Sequence, residues 1–173
     1  KQVHDQNMSL SQGALAALNH CDHPARAIAL QAFHDRWQDS PLVMEKWFMM
    51  ESMSLVSGTV ARLGELMAHP AFDANNPNKL RSVLGAFMTG NPVHFYAEDG
   101  SGFDFIGDCL IDIDARNPQL AARMALPLTR RTQYAPARRA KMGAVLQKLQ
   151  QQAQSNDLRE VIDKALADGP SPV

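Results

Sequence analysis

The chain has 173 residues, 45% hydrophobic and 20% charged, with a net charge of −1. That length supports one well-cored domain, and the composition is that of a globular protein rather than a disordered or fibrous one. A charge so close to zero gives no global electrostatic reason to expect nucleic acid or a membrane surface as a partner.

Ala, Leu, Met, Gln and Arg are abundant and strand-forming residues few, so helix is expected throughout. The polar start Lys1-Gln2-Val3-His4-Asp5 lacks the apolar run of a signal peptide, and the missing initiator Met is what a piece of a longer protein would show. Leu30, Phe33 and Trp37 form the first clear apolar stripe, and Val43, Trp47 and Met50 the next. Val60, Leu63 and Met67 follow, then Leu80, Leu84 and Phe87. Phe103, Ile106, Leu110 and Ile113 come after the turn Glu98-Asp99-Gly100, with Ser101 and Asp104 placed as a capping box. Leu120, Met124 and Leu128 precede Met142, Val145 and Leu149, and Leu158, Ile162 and Ala165 close the series. Ser40-Pro41, Asn76-Pro77 and Asn117-Pro118 are strong helix starts: the polar residue caps free N–H groups, and Pro fits a first turn that needs no N–H from it. Asn91-Pro92 and Ala135-Pro136 are weaker forms of the same signal.

These patterns predict about nine helices. The three strong starts are separated by roughly 36 and 41 residues, within the range of helical-hairpin repeats of about 34–47 residues. The expected fold is all-α: a superhelix of stacked antiparallel helix pairs, HEAT- or armadillo-like, forming one domain over 1–173 with a flexible tail at 168–173. No stretch approaches the about 18 apolar residues of a membrane helix. Two cysteines, Cys21 and Cys109, make a disulfide framework unexpected and fit a reducing, cytoplasmic setting.

Three clusters carry potential chemistry. His20-Cys21-Asp22-His23 holds metal-binding residue types, but it sits at a helix junction where such residues also serve as caps, and no second ligand cluster accompanies it. Arg130, Arg131, Arg138, Arg139 and Lys141 could grip phosphates, yet cations near helix ends also meet the negative end of the dipole, and only Tyr134 offers a stacking surface. The stretch from Asn91 to Phe103 gathers His94, Glu98, Asp99 and three aromatics. It reads either as an acid–base site or, preferably, as a connection that turns on glycine and buries its rings. Met44, Met49, Met50 and Met53 read as core filling. No His-Glu-x-x-His, Gly-x-Ser-x-Gly or Cys-x-x-Cys occurs. The residues alone therefore describe a helical-repeat scaffold or binding surface.

Several ordered blocks narrow that description. Leu42-Val43-Met44-Glu45-Lys46-Trp47-Phe48, the run from Asn76 to Phe87, the run from Ala97 to Phe103, the run from Arg116 to Arg123, and Arg138-Arg139-Ala140-Lys141-Met142 resemble, in order and spacing, the C-terminal part of bacterial aminopeptidase N. The resemblance extends from about Asn7 to about Ala167. It implies the fourth, C-terminal domain of a gluzincin-type zinc metalloaminopeptidase that removes N-terminal residues from peptides. That domain resembles an α-superhelix closing over the catalytic domain of the same polypeptide, which supplies the zinc ligands and the substrate-amine loop. Neither motif is in this chain, so no catalytic residue and no cofactor are expected here, and zinc belongs to the full-length enzyme. The family's pattern implies that Arg81, Gln119 and Arg123 face the substrate chamber and anchor peptide; the other reading is that such arginines bind helix C-termini at an interface. The alternatives for the whole chain are a stand-alone helical adaptor for peptides or a partner protein, and a nucleic-acid binder using the basic cluster.

Overall fold

The computed structural model describes residues 8–168, and every regular element among them is helical. The chain divides into two compact units, Lys1–Pro92 and Val93–Val173.

The first unit contains α1 (Met8–Leu18), α2 (Pro24–Trp37), α3 (Pro41–Ser52) and α4 (Thr59–Met67). α5 (Pro77–Leu80), a π-turn (Arg81–Gly85) and α6 (Ala86–Gly90) follow without a break in helical backbone angles. The second unit contains α8 (Ser101–Asp114), α9 (Pro118–Thr129), the 3₁₀ turn Arg130–Gln133, α10 (Pro136–Gln152) and α11 (Asn156–Ala167). A single helical turn, α7 (Pro92–Phe95), lies where the units meet in sequence. Counting the continuous run from Pro77 as one gives ten helices among the described residues, against about nine expected; eight of them carry the apolar stripes named above, and α1 and α7 do not.

The Pro-marked starts are where the sequence places them. Asn76 Oδ1 accepts from Asn78 N at 2.9 Å, and Asn117 Oδ1 from Leu120 N at 3.1 Å. Ser40 departs from the pattern, because its side chain makes no cap bond and only its carbonyl receives Val43 N and Met44 N. The predicted Ser101/Asp104 capping box is also corrected. Gly100 is the N-cap, at φ 84°, and the Asp99 carboxylate does the capping by accepting from Ser101 N at 2.9 Å and Ser101 Oγ at 2.8 Å. Glycine suits that left-handed position because a Cβ there would strain the backbone.

Within the first unit α3 packs on α2, α4 and the π-turn. Its core joins Leu30, Phe33, Met44, Trp47, Phe48, Leu63, Leu66, Leu84 and Phe87, all essentially buried. The indole of Trp47 donates to the Leu30 carbonyl at 3.1 Å, so its polar end is satisfied inside the core. The α4 stripe is shifted from expectation: Leu66 is buried while Val60 and Met67 are only half-buried. The methionines divide likewise, with Met44 and Met50 in the core and Met49 42% exposed.

In the second unit α8 packs on α9 and α10, and α11 packs on the same two helices, closing a four-helix arrangement. Phe103, Ile106, Leu110, Ile113, Leu128, Leu146, Leu149, Leu158 and Ile162 fill it. Buried Asp114, at the end of α8, accepts from Gln154 N at 2.7 Å and Ser155 N at 3.0 Å and receives the Ser155 hydroxyl, tying α8 to the start of α11. Gly102 allows α8 to begin hard against α7: a Cβ there would lie 2.4 Å from the His94 carbonyl oxygen and 2.7 Å from that of Phe95.

Candidate functional site

Gln119 and Arg123 lie one turn apart on α9, and both are exposed. Leu126, 48% exposed, extends the same edge and lines a groove of about 320 Å³ between α9 and α11, with Val161, Lys164 and Ala165 on its other side. The Arg123 side chain makes no hydrogen bond or ion pair with another described residue. Pro127, one turn on, has no N–H to give to the Arg123 carbonyl. The edge therefore offers a guanidinium fork, an amide and an apolar side chain. Such a set suits the carboxylate and backbone of a peptide.

Arg81 belongs to the first unit, at the start of the π-turn, and is exposed. Its Nη1 donates to Asn78 Oδ1 at 3.2 Å, one turn back, which leaves most of the guanidinium donors uncommitted.

Arg131, Arg138 and Arg139 have structural employment, whereas Arg130 is exposed and its side chain makes no hydrogen bond or ion pair with a described residue. Arg131 caps the C-terminus of α11, donating to the carbonyls of Ala165, Leu166 and Asp168 at 3.1–3.2 Å. Arg138 donates to the Tyr96 carbonyl at 2.8 Å and lies 3.9 Å from exposed Glu98. Arg139 donates to the Thr132 and Tyr134 carbonyls, both at 3.2 Å. A basic patch in the sequence is thus mostly a set of carbonyl clamps.

The stretch from Asn91 to Phe103 is packed rather than poised. Phe95 and Phe103 are fully buried and meet edge to face at 5.3 Å. Tyr96 stacks on Tyr134 at 4.7 Å, and burial together with the hydroxyl bond to Tyr134 pushes its phenol up to about 12. Asn91 is buried and donates to the carbonyls of Ser52 and Ser54 at 3.2 and 2.7 Å.

At the His20–His23 junction, His23 is the N-cap of α2, its Nδ1 accepting from Ala25 N at 3.1 Å. Among the described residues no group of three His, Cys, Asp or Glu side chains is arranged to hold a metal ion. No helix of the described residues is long and apolar enough to cross a membrane.

Two features carry no signal in the sequence. Buried Glu51 bridges Arg26 and Arg62, at 3.2 and 2.9 Å, in the wall of a groove of about 440 Å³. Burial works against the Arg62 charge, but the bonds to Glu51 and Glu65 outweigh it and raise the guanidinium above its ordinary value. His34 and His69 meet ring to ring at 3.0 Å although they are 35 residues apart. Sequence patterns cannot pair residues so far apart.

The model of a family described as a domain of unknown function (DUF3458_C) with ARM repeats matches residues 1–167. The chain belongs to this family. It is 40% identical over 169 residues to aminopeptidase N of Escherichia coli, covering 96% of this chain and 19% of that protein. Aminopeptidase N of Haemophilus influenzae is 37% identical over 169 residues, again across 95% of the chain and 19% of the relative. The crystal structure of Legionella pneumophila aminopeptidase A in complex with aspartic acid superposes with a TM-score of 0.92 at 30% identity, over 97% of this chain and 20% of that one. The chain thus spans about a fifth of the length of the relatives it matches. Its ARM-repeat helices are the C-terminal helical domain of the aminopeptidase N kind.

Proposed function

We propose that the chain is the non-catalytic C-terminal domain of a zinc-dependent aminopeptidase, acting beside the catalytic domain of the same polypeptide and controlling how peptides reach it. The observation that carries this reading is the match to aminopeptidase N across nearly the whole chain but only about a fifth of the relatives. The sequence contains no His-Glu-x-x-His, so zinc binding and the hydrolytic step fall to residues outside it. The proposed setting is the cytoplasm, a reducing compartment that suits two cysteines not joined in a disulfide.

Within that reading the α9 edge contacts substrate. Arg123 with Gln119 holds a peptide carboxylate or carbonyl, and Arg81, on the first unit, is a separate candidate contact. Support comes from the contrast among the arginines: the side chains of Arg131 and Arg139 are taken up by backbone carbonyls, whereas that of Arg123, like that of Arg130, makes no hydrogen bond or ion pair with a described residue. The π-turn under Arg81 points the same way, since such turns concentrate at functional positions.

The test is Arg123→Ala in the intact enzyme, with kcat/KM measured for tetrapeptides and for an alanyl arylamide. Losing one charge-assisted contact is expected to lower kcat/KM for the peptides by about tenfold while leaving the arylamide unchanged. Equal losses on both substrates would remove the peptide-anchoring role.

A further inference from the structure

The His34–His69 contact has a proton arrangement that can be deduced from its partners. Ala71 N lies 3.0 Å from His69 Nδ1 and can only donate, so Nδ1 is the unprotonated nitrogen and Nε2 carries the hydrogen. That hydrogen points at His34 Nε2, 3.0 Å away, which must therefore accept. The His34 proton is then on Nδ1, donating to Asp35 Oδ1 at 3.0 Å. The chain from Ala71 to Asp35 is complete only when both rings are neutral.

Burial and nearby cations disfavour added positive charge on His69, whereas His34 faces the Asp35 carboxylate. Trp47 and Phe48 of α3 pack against His69 at ring centroid distances of 5.5 and 5.6 Å. Arg62 of α4 sits 5.8 Å over the Trp47 ring, and Lys79 of α5 sits 5.4 Å over that of Phe48. On the open side the pair borders a groove with Gln38 and Asp39 at the end of α2. Asp35, on α2, is exposed, and the His34 hydrogen bond, aided by Gln31, holds it below the usual carboxylate range.

We propose that the His34–His69 pair is a proton-operated latch on the turn joining α4 to α5, closed when both rings are neutral and released when the pair takes up one proton. A proton on His34 Nε2 opposes the hydrogen already on His69 Nε2. A proton on His69 Nδ1, or a tautomer change there, expels the Ala71 N–H. Either way one bond of the chain is lost, and the turn Ala68–Asn76 loosens just before the Asn76 cap of the helix that bears Arg81. A metal ion bridging the two Nε2 atoms is excluded by the same logic, because it would need a hydrogen on His69 Nδ1 facing the Ala71 N–H.

The direction of the titration agrees. Burial, then His34, Arg62 and Lys79, lower the His69 value below its ordinary 6.5. A lowered folded-state value makes the neutral form part of the fold. The closed turn is therefore fully stable above pH 6.5 and weakens as pH falls through the folded-state value. The chain supplies a reference: His23-Pro24-Ala25 forms the same Nδ1 cap as His69-Pro70-Ala71, with its His exposed.

The experiment is amide hydrogen exchange of the intact protein between pH 8 and pH 5, corrected for intrinsic rates, following the peptide that spans 68–76. The latch predicts that this peptide loses protection by about threefold or more, at tenfold for each unit by which the ring's value is lowered. Peptides of α11 stay unchanged. His69→Asn keeps an acceptor two residues before Ala71 N, as Asn76 does for Asn78 N, but cannot take up a proton. It should keep the peptide protected across the range. Constant protection in the unaltered protein, or the same pH step in His69→Asn, would overturn the proposal. If His69→Asn leaves the turn open at every pH, His34→Gln decides: a smaller step supports the pair and an unchanged step overturns it.

Discussion

At the scale of single residues, the two cysteines show how position sets chemistry. Cys109 is buried on α8, and burial, with Asp112 and Asp108 nearby, pushes its thiol up to about 12. Cys21 is exposed in the α1–α2 junction. A thiolate is the reactive form, so Cys109 is inert at neutral pH while folded. Titration with an aromatic disulfide at pH 8 should release one equivalent quickly and the second only after denaturant is added; two equally fast equivalents would contradict the burial of Cys109. Glu51, His34 and His69 were illegible in the sequence for a common reason. Their partners lie 11 to 35 residues away on other helices or, for His69, in the turn after α4, and only the packing of α2, α3 and α4 brings them together. Arg81, Gln119 and Arg123 were found through resemblance alone, because an exposed arginine has no pattern that separates a ligand contact from a solvated surface.

At the scale of helices and turns, local chemistry was readable where a single residue acts on its own backbone. The Pro-marked starts of α3, α5, α9 and α10 fall where the sequence places them. The start of α8 was misread because its capping carboxylate, Asp99, precedes a left-handed Gly100 rather than lying inside the helix. The π-turn escaped because its apolar positions keep helical spacing through Leu80, Leu84 and Phe87. The caps differ in consequence. Asn117→Ala removes a real side-chain bond and should cost about 1 kcal/mol, whereas Ser40→Ala removes none and should stay within about 0.5 kcal/mol. Gly102→Ala drives a methyl into the carbonyls of His94 and Phe95 and should cost about 2–3 kcal/mol. Urea denaturation of the three variants gives the ranking, and a Gly102→Ala variant as stable as the parent would refute the close approach of α8 to α7.

At the scale of the whole molecule, the apolar stripes carried the all-helical class, because nearly every stripe residue from Leu80 onward is buried. They could not reveal the division at Pro92, which depends on which helices touch rather than on where helices lie. In the first unit Ile28 and Leu42 are 67% and 72% exposed. The central claim is that this domain shapes access to chemistry performed elsewhere. The most direct test is hydrolysis of an alanyl arylamide by the purified chain, with its zinc content measured in parallel. The account predicts neither turnover nor bound zinc, and zinc-dependent turnover by the chain alone would contradict it.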